Sequence, residues 1–212
     1  MIISREIIDS GESLRMRQLI LMAELSKKAG SCDLCQLYKY RERVVFGEGV
    51  VGKGLMVIGE GPGRDEDLSG RPFVGRAGKL LDAILESAGF TRKANVYIAN
   101  IVKCRPPQNR APLPEEREAC LPYLLEQIRI VDPKIIILLG ATALQGLVDA
   151  KAKISACRGR WILWENRHVM PTYHPAALLR NPNYKEDVWA DIKLVIDKYR
   201  EIVDPDHYSE YY

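Results

Sequence analysis

Any fold of this chain has to account for four cysteines. Cys32 and Cys35 form a C-x-x-C knuckle near the start, and Cys104 and Cys120 stand far along the chain. Two thiolates at knuckle spacing can chelate one centre, and two more supplied from a distance complete a four-sulfur site. Such a site would tie the N-terminal segment to the middle of the domain. Four independent buried thiols are the plainer alternative, since free cysteine is among the most buried residue types. The knuckle spacing and the polar, proline-rich surroundings of Cys104 point instead to a metal centre. Spacing alone fits zinc and a [4Fe–4S] cluster equally. Cys157 is left over and reads as a core or surface thiol.

An odd number of cysteines with a C-x-x-C implies a reducing compartment rather than disulfides. No apolar run approaches the roughly 20 residues that span a bilayer, and the N-terminus, with Arg5, Glu6 and Asp9 among isoleucines, lacks the order of a signal peptide. At 212 residues and 47% hydrophobic, the chain suffices for one well-buried core. The net charge of +3 permits a nucleic-acid surface without demanding one, so basic patches have to be argued locally.

Strand and helix signals alternate. An amphipathic helix is predicted over residues 12–29, with Leu14, Ile20, Leu21 and Leu25 as its apolar side and Gly30 closing it. Residues 55–58 read as an apolar strand, 79–85 as a helix stopping at Gly89, and 95–102 as a second strand. Pro114-Glu115-Glu116 starts a helix that runs to about Val131 and carries Cys120. Residues 134–139 are continuously apolar, as in parallel sheets covered on both faces. A helix over 141–148, two β-like runs (159–164 and 168–173) around a turn at Asn166, and a helix over about 185–202 complete the order. The expectation is an α/β fold with one domain over residues 1–203, N-terminal helix and cysteine segment included, and a flexible tail over 204–212.

In open α/β sheets, ligands bind beyond the carboxyl ends of the strands. Two loops leave such ends. Residues 59–75 hold Gly59-Glu60-Gly61-Pro62-Gly63, an acidic group at Asp65, Glu66 and Asp67, and then Gly70-Arg71-Pro72-Phe73-Val74-Gly75. This is not a P-loop, because the Gly-Lys-Ser/Thr ending is missing. Residues 173–182 carry His174, Leu178, Leu179 and Arg180 between prolines and read as a protruding loop.

Taken with Asn100 before Lys-Cys-Arg-Pro-Pro, these motifs resemble, in order, the family 4 uracil-DNA glycosylases, the iron–sulfur members of their superfamily. The likeness spans residues 30–200 or so, cysteines included. It implies a three-layer αβα domain around a short, mainly parallel sheet, a [4Fe–4S] cluster on Cys32, Cys35, Cys104 and Cys120, and hydrolytic removal of uracil from DNA. A base must be extruded from the stack to be read. Phe73 would supply the stacking face, and Asn100 would match uracil O4 and N3–H while rejecting cytosine. Glu66 would stand at the edge where a thymine methyl has to be excluded. His174 would donate toward uracil O2 as negative charge develops there. Better-known superfamily members carry a water-orienting aspartate where this chain has Gly61, so Glu60 is the nearest candidate carboxylate. Leu178 or Leu179 would fill the gap left by the flipped nucleotide, with Arg180 near a phosphate. Arg105 and Arg110, and more generally Arg71, Arg76, Lys79 and Lys103, are candidate phosphate contacts.

The resemblance further implies a monomer acting on single- or double-stranded uracil-containing DNA, at the nucleoid of a prokaryotic cytoplasm. The tyrosine-rich terminus could host a partner such as a sliding clamp. Three rival readings are weaker. A non-catalytic DNA-binding relative would not need Phe73, Asn100 and His174 together. A covalent uracil binder would carry an Arg-Ile-His insertion, which is absent between Asn100 and Cys104. A thioredoxin-like protein would place C-x-x-C after a strand, whereas Cys32 and Cys35 precede the first.

Overall fold

The computed structural model describes the backbone from Ile3 to Tyr212 and the side chains from Glu12 onward. The elements in order are α1 (Ile3–Gly30), β1 (Glu48–Gly49), β2 (Leu55–Gly59), α2 (Arg64–Ser69), α3 (Arg76–Ser87), β3 (Val96–Asn100), α4 (Pro114–Val131), β4 (Ile135–Leu139), α5 (Ala141–Leu147), α6 (Ile154–Cys157), β5 (Ile162–Trp164), β6 (Arg167–Thr172), α7 (Pro175–Arg180) and α8 (Tyr184–Ile202). No helix among the described residues is long and apolar enough to cross a membrane.

The six strands form one sheet in the order β1-β3-β2-β4-β6-β5. The central four are parallel, and the two edge strands are antiparallel. The continuous apolar runs follow from this, because β2, β3 and β4 are buried at every residue. Period-2 alternation divides them between two cores. Met56, Ile58, Ile136 and Leu138 meet α1, α4 and α5 on one face. Leu55, Val57, Ile135, Ile137 and Leu139 meet α3, α7 and α8 on the other. The result is consistent with the three-layer αβα architecture that the family resemblance implies, with the sheet covered on both faces as the alternating signals imply.

Several local expectations change on inspection. The α1 helix turns Leu21, Met22, Leu25 and Ala29 onto α4, while Leu14 and Ile20 are more than half exposed. The loop expected after β2 contains α2, started by a capping box in which Glu66 bonds back to the Gly63 amide at 3.1 Å. The predicted protruding loop after β6 is instead α7, with Pro at its first turn. Residues 204–212 are not loose. His207 stacks on Phe90 with centroids 4.3 Å apart and bonds Ala88 O at 2.8 Å, and Ser209 donates to Ser87 O. Burial of a ring and two satisfied polar groups holds this terminus against the end of α3.

The chain passes from β2 to β3 on one side and then to β4 on the other. The loops after β2 and β4 therefore part in opposite directions, and a crevice opens between them at the carboxyl ends of the strands.

Candidate active site

That crevice is a cleft of about 600 Å3 lined by both predicted loops, by Asn100, and by the turn after Cys104. Glu60, Gly61, Glu66, Phe73, Asn100, His174, Arg110 and Arg180 all face it. Residues far apart in the chain thus converge because Glu60, Asn100 and His174 end or closely follow parallel strands, and the segments that leave those strands carry the others.

Phe73 is 6% exposed, and its backbone sits in the left-handed region at φ 54°. Its ring lies 5.7 Å from that of His174, inclined by 31°, so the two rings form adjoining walls. Asn100 closes the floor at 2% exposure, and its Oδ1 is buried with no hydrogen-bond partner among the described residues. A buried acceptor left unpaired costs about 1–3 kcal/mol, and this one sits on the wall of the cleft, where a donor on a bound ligand would satisfy it. Gly59 makes this arrangement possible. A Cβ there would collide with the Phe73 ring and lie 2.6 Å from Asn100 Oδ1.

The His174 Nδ1 accepts the Ala176 amide at 3.1 Å, which leaves the proton on Nε2. Burial lowers its pKa to about 4, with Arg180 pushing the same way and Glu66 opposing. The ring is therefore a neutral donor near pH 7. Glu60 accepts a hydrogen bond from the Thr142 hydroxyl on the opposite loop. Thr142 also lines the cleft and was not singled out in the sequence. Its place just after the carboxyl end of β4 is the signal that would have found it.

The Glu66 carboxylate accepts the amides of Gly63, Val74 and Gly75 at 2.8–3.1 Å. Its oxygens are spent on folding the loop, and what it offers the cleft is bulk. Four basic residues behave differently from expectation. Lys103 is 2% exposed and donates to Asn100 O (2.7 Å) and Gln127 Oε1 (2.5 Å), and burial lowers its pKa to about 8. It cannot reach a phosphate. Arg110 is forked onto the buried Glu116 carboxylate at 2.7 and 2.8 Å, and Arg71 is forked onto Glu48. Arg105 braces the turn through Asn109 Oδ1. Arg76 and Lys79 on α3 and Arg180 on the adjacent α7 are exposed and enter no ion pair among the described residues. Of the two candidate wedge leucines, Leu178 is 1% exposed in the core under α7, so it is excluded, whereas Leu179 is 42% exposed.

The four cysteines Cys32, Cys35, Cys104 and Cys120 line one small pocket with Leu34, Tyr38 and Tyr123. Among the described residues no three metal-ligating side chains close on a single ion. Burial raises the Cys35, Cys104 and Cys120 thiols, the last to about 11. Hydrogen-bond donors point at two of the sulfurs nonetheless. Arg41 donates to Cys104 Sγ at 3.3 Å and the Lys103 amide to Cys120 Sγ at 3.3 Å. Cys157 lies away from this pocket, partly buried against the α1–α4–α5 core.

Residues 46–193 match the family model of the uracil DNA glycosylase superfamily. The chain belongs to this superfamily. The type-4 uracil-DNA glycosylase of Thermotoga maritima is 50% identical over 163 residues, 76% of this chain and 84% of that protein. Those of Pyrobaculum aerophilum (44% over 181 residues; 82% and 92%) and Sulfurisphaera tokodaii (39% over 197 residues; 89% and 88%) are also similar. The match to the uracil-DNA glycosylase superfamily model begins beyond Cys35, so it contains Cys104 and Cys120 but not the knuckle.

Proposed function

We propose that this protein is a uracil-DNA glycosylase that extrudes uracil from DNA and hydrolyses its N-glycosidic bond, leaving an abasic site. The observation that carries the reading is the unpaired, buried Oδ1 of Asn100 beside Phe73 and a neutral His174. Uracil N3–H satisfies that acceptor, and the amide NH2 of the same side chain meets O4. Cytosine offers an acceptor and a donor in the reverse order and leaves both ends of Asn100 mismatched. Phe73 stacks on the base, a contact worth about 1–3 kcal/mol on comparable platforms.

Water adds to C1′ as the C1′–N1 bond breaks, and the electron pair of that bond departs with uracil as an N1/O2 anion. The His174 Nε2–H stabilises that anion by donating to O2. Glu60, with one oxygen held by Thr142, presents the other to the water and takes up its proton. Arg76, Lys79 and Arg180 contact phosphates flanking the cleft, and Leu179 enters the space vacated by the base.

Four cysteines around one apolar pocket, with cationic and amide donors aimed at their sulfurs, fit a [4Fe–4S] cluster better than a single zinc ion, which would need its ligands drawn onto one point. Bound there, the cluster would serve as a structural cross-link. Cys32, Cys35, Cys104 and Cys120 would hold it, and the turn with Pro106, Asn109 and Arg110 that forms one wall of the cleft would hang from Cys104.

A single-turnover assay on oligonucleotides with one uracil, followed by alkali, tests the reading. Cleavage at the uracil that drops by orders of magnitude in Asn100→Ala and Phe73→Ala supports it. Protein that binds the DNA and leaves the uracil in place refutes it.

A further inference from the structure

Phe73 holds a backbone conformation that a bulky side chain rarely adopts, and it does so in the middle of the cleft. Residues in such regions cost on the order of 1–3 kcal/mol and persist only where their surroundings over-determine them. One side chain dominates those surroundings. The Arg92 guanidinium, 9% exposed, donates to Pro72 O at 2.8 Å and to Phe73 O at 3.1 Å, the two carbonyls that bracket the strained residue. The guanidinium is itself fixed. It bonds Asp82 Oδ1 through two nitrogens at 3.1 and 2.6 Å and approaches Glu48 Oε2 at 3.4 Å. Its own loop is locked where the Thr91 amide meets Asn95 Oδ1 at 2.8 Å. From the other side α3 presses on the same peptide, with Gly78 so close that a Cβ would overlap the Phe73 carbonyl.

We propose that Arg92 is a positioning residue that holds Phe73 in its left-handed conformation and so presents the ring to the base. The proposal rests on the reading of Phe73 as the stacking face. It assigns a role to a residue that lies outside the cleft. The planar fork is essential, because two carbonyls and a carboxylate are satisfied at once from fixed directions. A lysine, as a single point charge, cannot reproduce that pattern.

The test uses full-length holoprotein labelled with 4-fluorophenylalanine. The chain has three phenylalanines, so the fluorine spectrum has three signals, with that of Phe73 assigned by Phe73→Leu. In Arg92→Met and Arg92→Lys the Phe73 signal is expected to move or broaden, while that of Phe46, on the far face of the sheet, stays in place. Single-turnover excision is expected to fall on the order of 10- to 100-fold, the range such strain represents. In a Phe73→Ala background the same Arg92 changes are expected to cost little further. An unmoved Phe73 signal in a folded Arg92 variant overturns the proposal. A moved signal with unchanged excision, or with losses that simply multiply, also overturns it. If Arg92→Met does not fold, Asp82→Ala, which removes the guanidinium's anchor at a partly exposed side chain, has to give the same spectral change. A moved signal in a family of proteins none of which excises uracil would leave Arg92 holding Phe73 and would refute the glycosylase reading alone.

Discussion

His174 is poised to act uncharged, and this fixes how the protein should respond to acid. Its Nδ1 is occupied by the Ala176 amide, and burial, reinforced by Arg180, holds its pKa near 4 against an ordinary 6.5. Between these values the unfolded chain binds a proton that the native protein refuses. Stability from this residue is therefore complete above about pH 6.5 and is lost as pH falls toward 4. The full gap is on the order of 3 kcal/mol. For the reaction, a neutral ring donates from Nε2 across the whole physiological range. Single-turnover excision should run flat from about pH 8 to about pH 5.5, with no inflection near 6.5 that belongs to His174. His174→Gln should flatten part of the pH dependence of urea unfolding between about pH 7 and 5. His174→Ala should slow excision by about 10²- to 10³-fold, as for the loss of one donor to a developing oxyanion. An acid limb centred near 6.5 that disappears in His174→Gln would refute the argument, since it would mean that the ring titrates freely.

Three further outcomes follow from the geometry. Asn100→Asp replaces the amide by a carboxyl that, when protonated, accepts from cytosine N4–H2 and donates to N3, so uracil excision should fall and cytosine excision should appear, measured on paired oligonucleotides that differ at one base. Leu178→Ala should destabilise the protein by about 2–5 kcal/mol in urea unfolding. Leu179→Ala should change stability by less than about 0.5 kcal/mol and slow excision from duplexes more than from single strands. If Cys120 holds the proposed cluster, Cys120→Ser should abolish the cluster's visible absorbance and lower the unfolding temperature, with the loss of DNA affinity exceeding that caused by Cys157→Ser.

The layered fold was legible because β2, β3 and β4 are apolar at nearly every position and glycine or proline brackets β2 and β4. The cleft was legible for a related reason, since strand ends are where ligands bind and Glu60, Asn100 and His174 all end or follow a strand. What the sequence could not reveal depends on contacts between distant segments. Nothing local tells Leu178 from Leu179, and only the packing of α7 on α3 and α8 buries the first. Lys103 sits among arginines in a proline-rich stretch and looks like a surface cation until Gln127, on another element, receives it. The terminal residues look loose until Phe90 and Ala88 provide a ring and a carbonyl. Burial on α1 likewise shifted because its partner face is set by α4 and not by the helix's own pattern.

Gly59 has a consequence for how this chain can change over time. Any side chain at that position, even one methyl group, strikes the ring of Phe73 and the oxygen of Asn100 together. Mutations there cannot retune one of these groups while sparing the other, so position 59 is closed to gradual drift in base preference. New specificities have to enter through the rim, by way of the segment after Cys104, where a single substitution alters one wall of the cleft at a time.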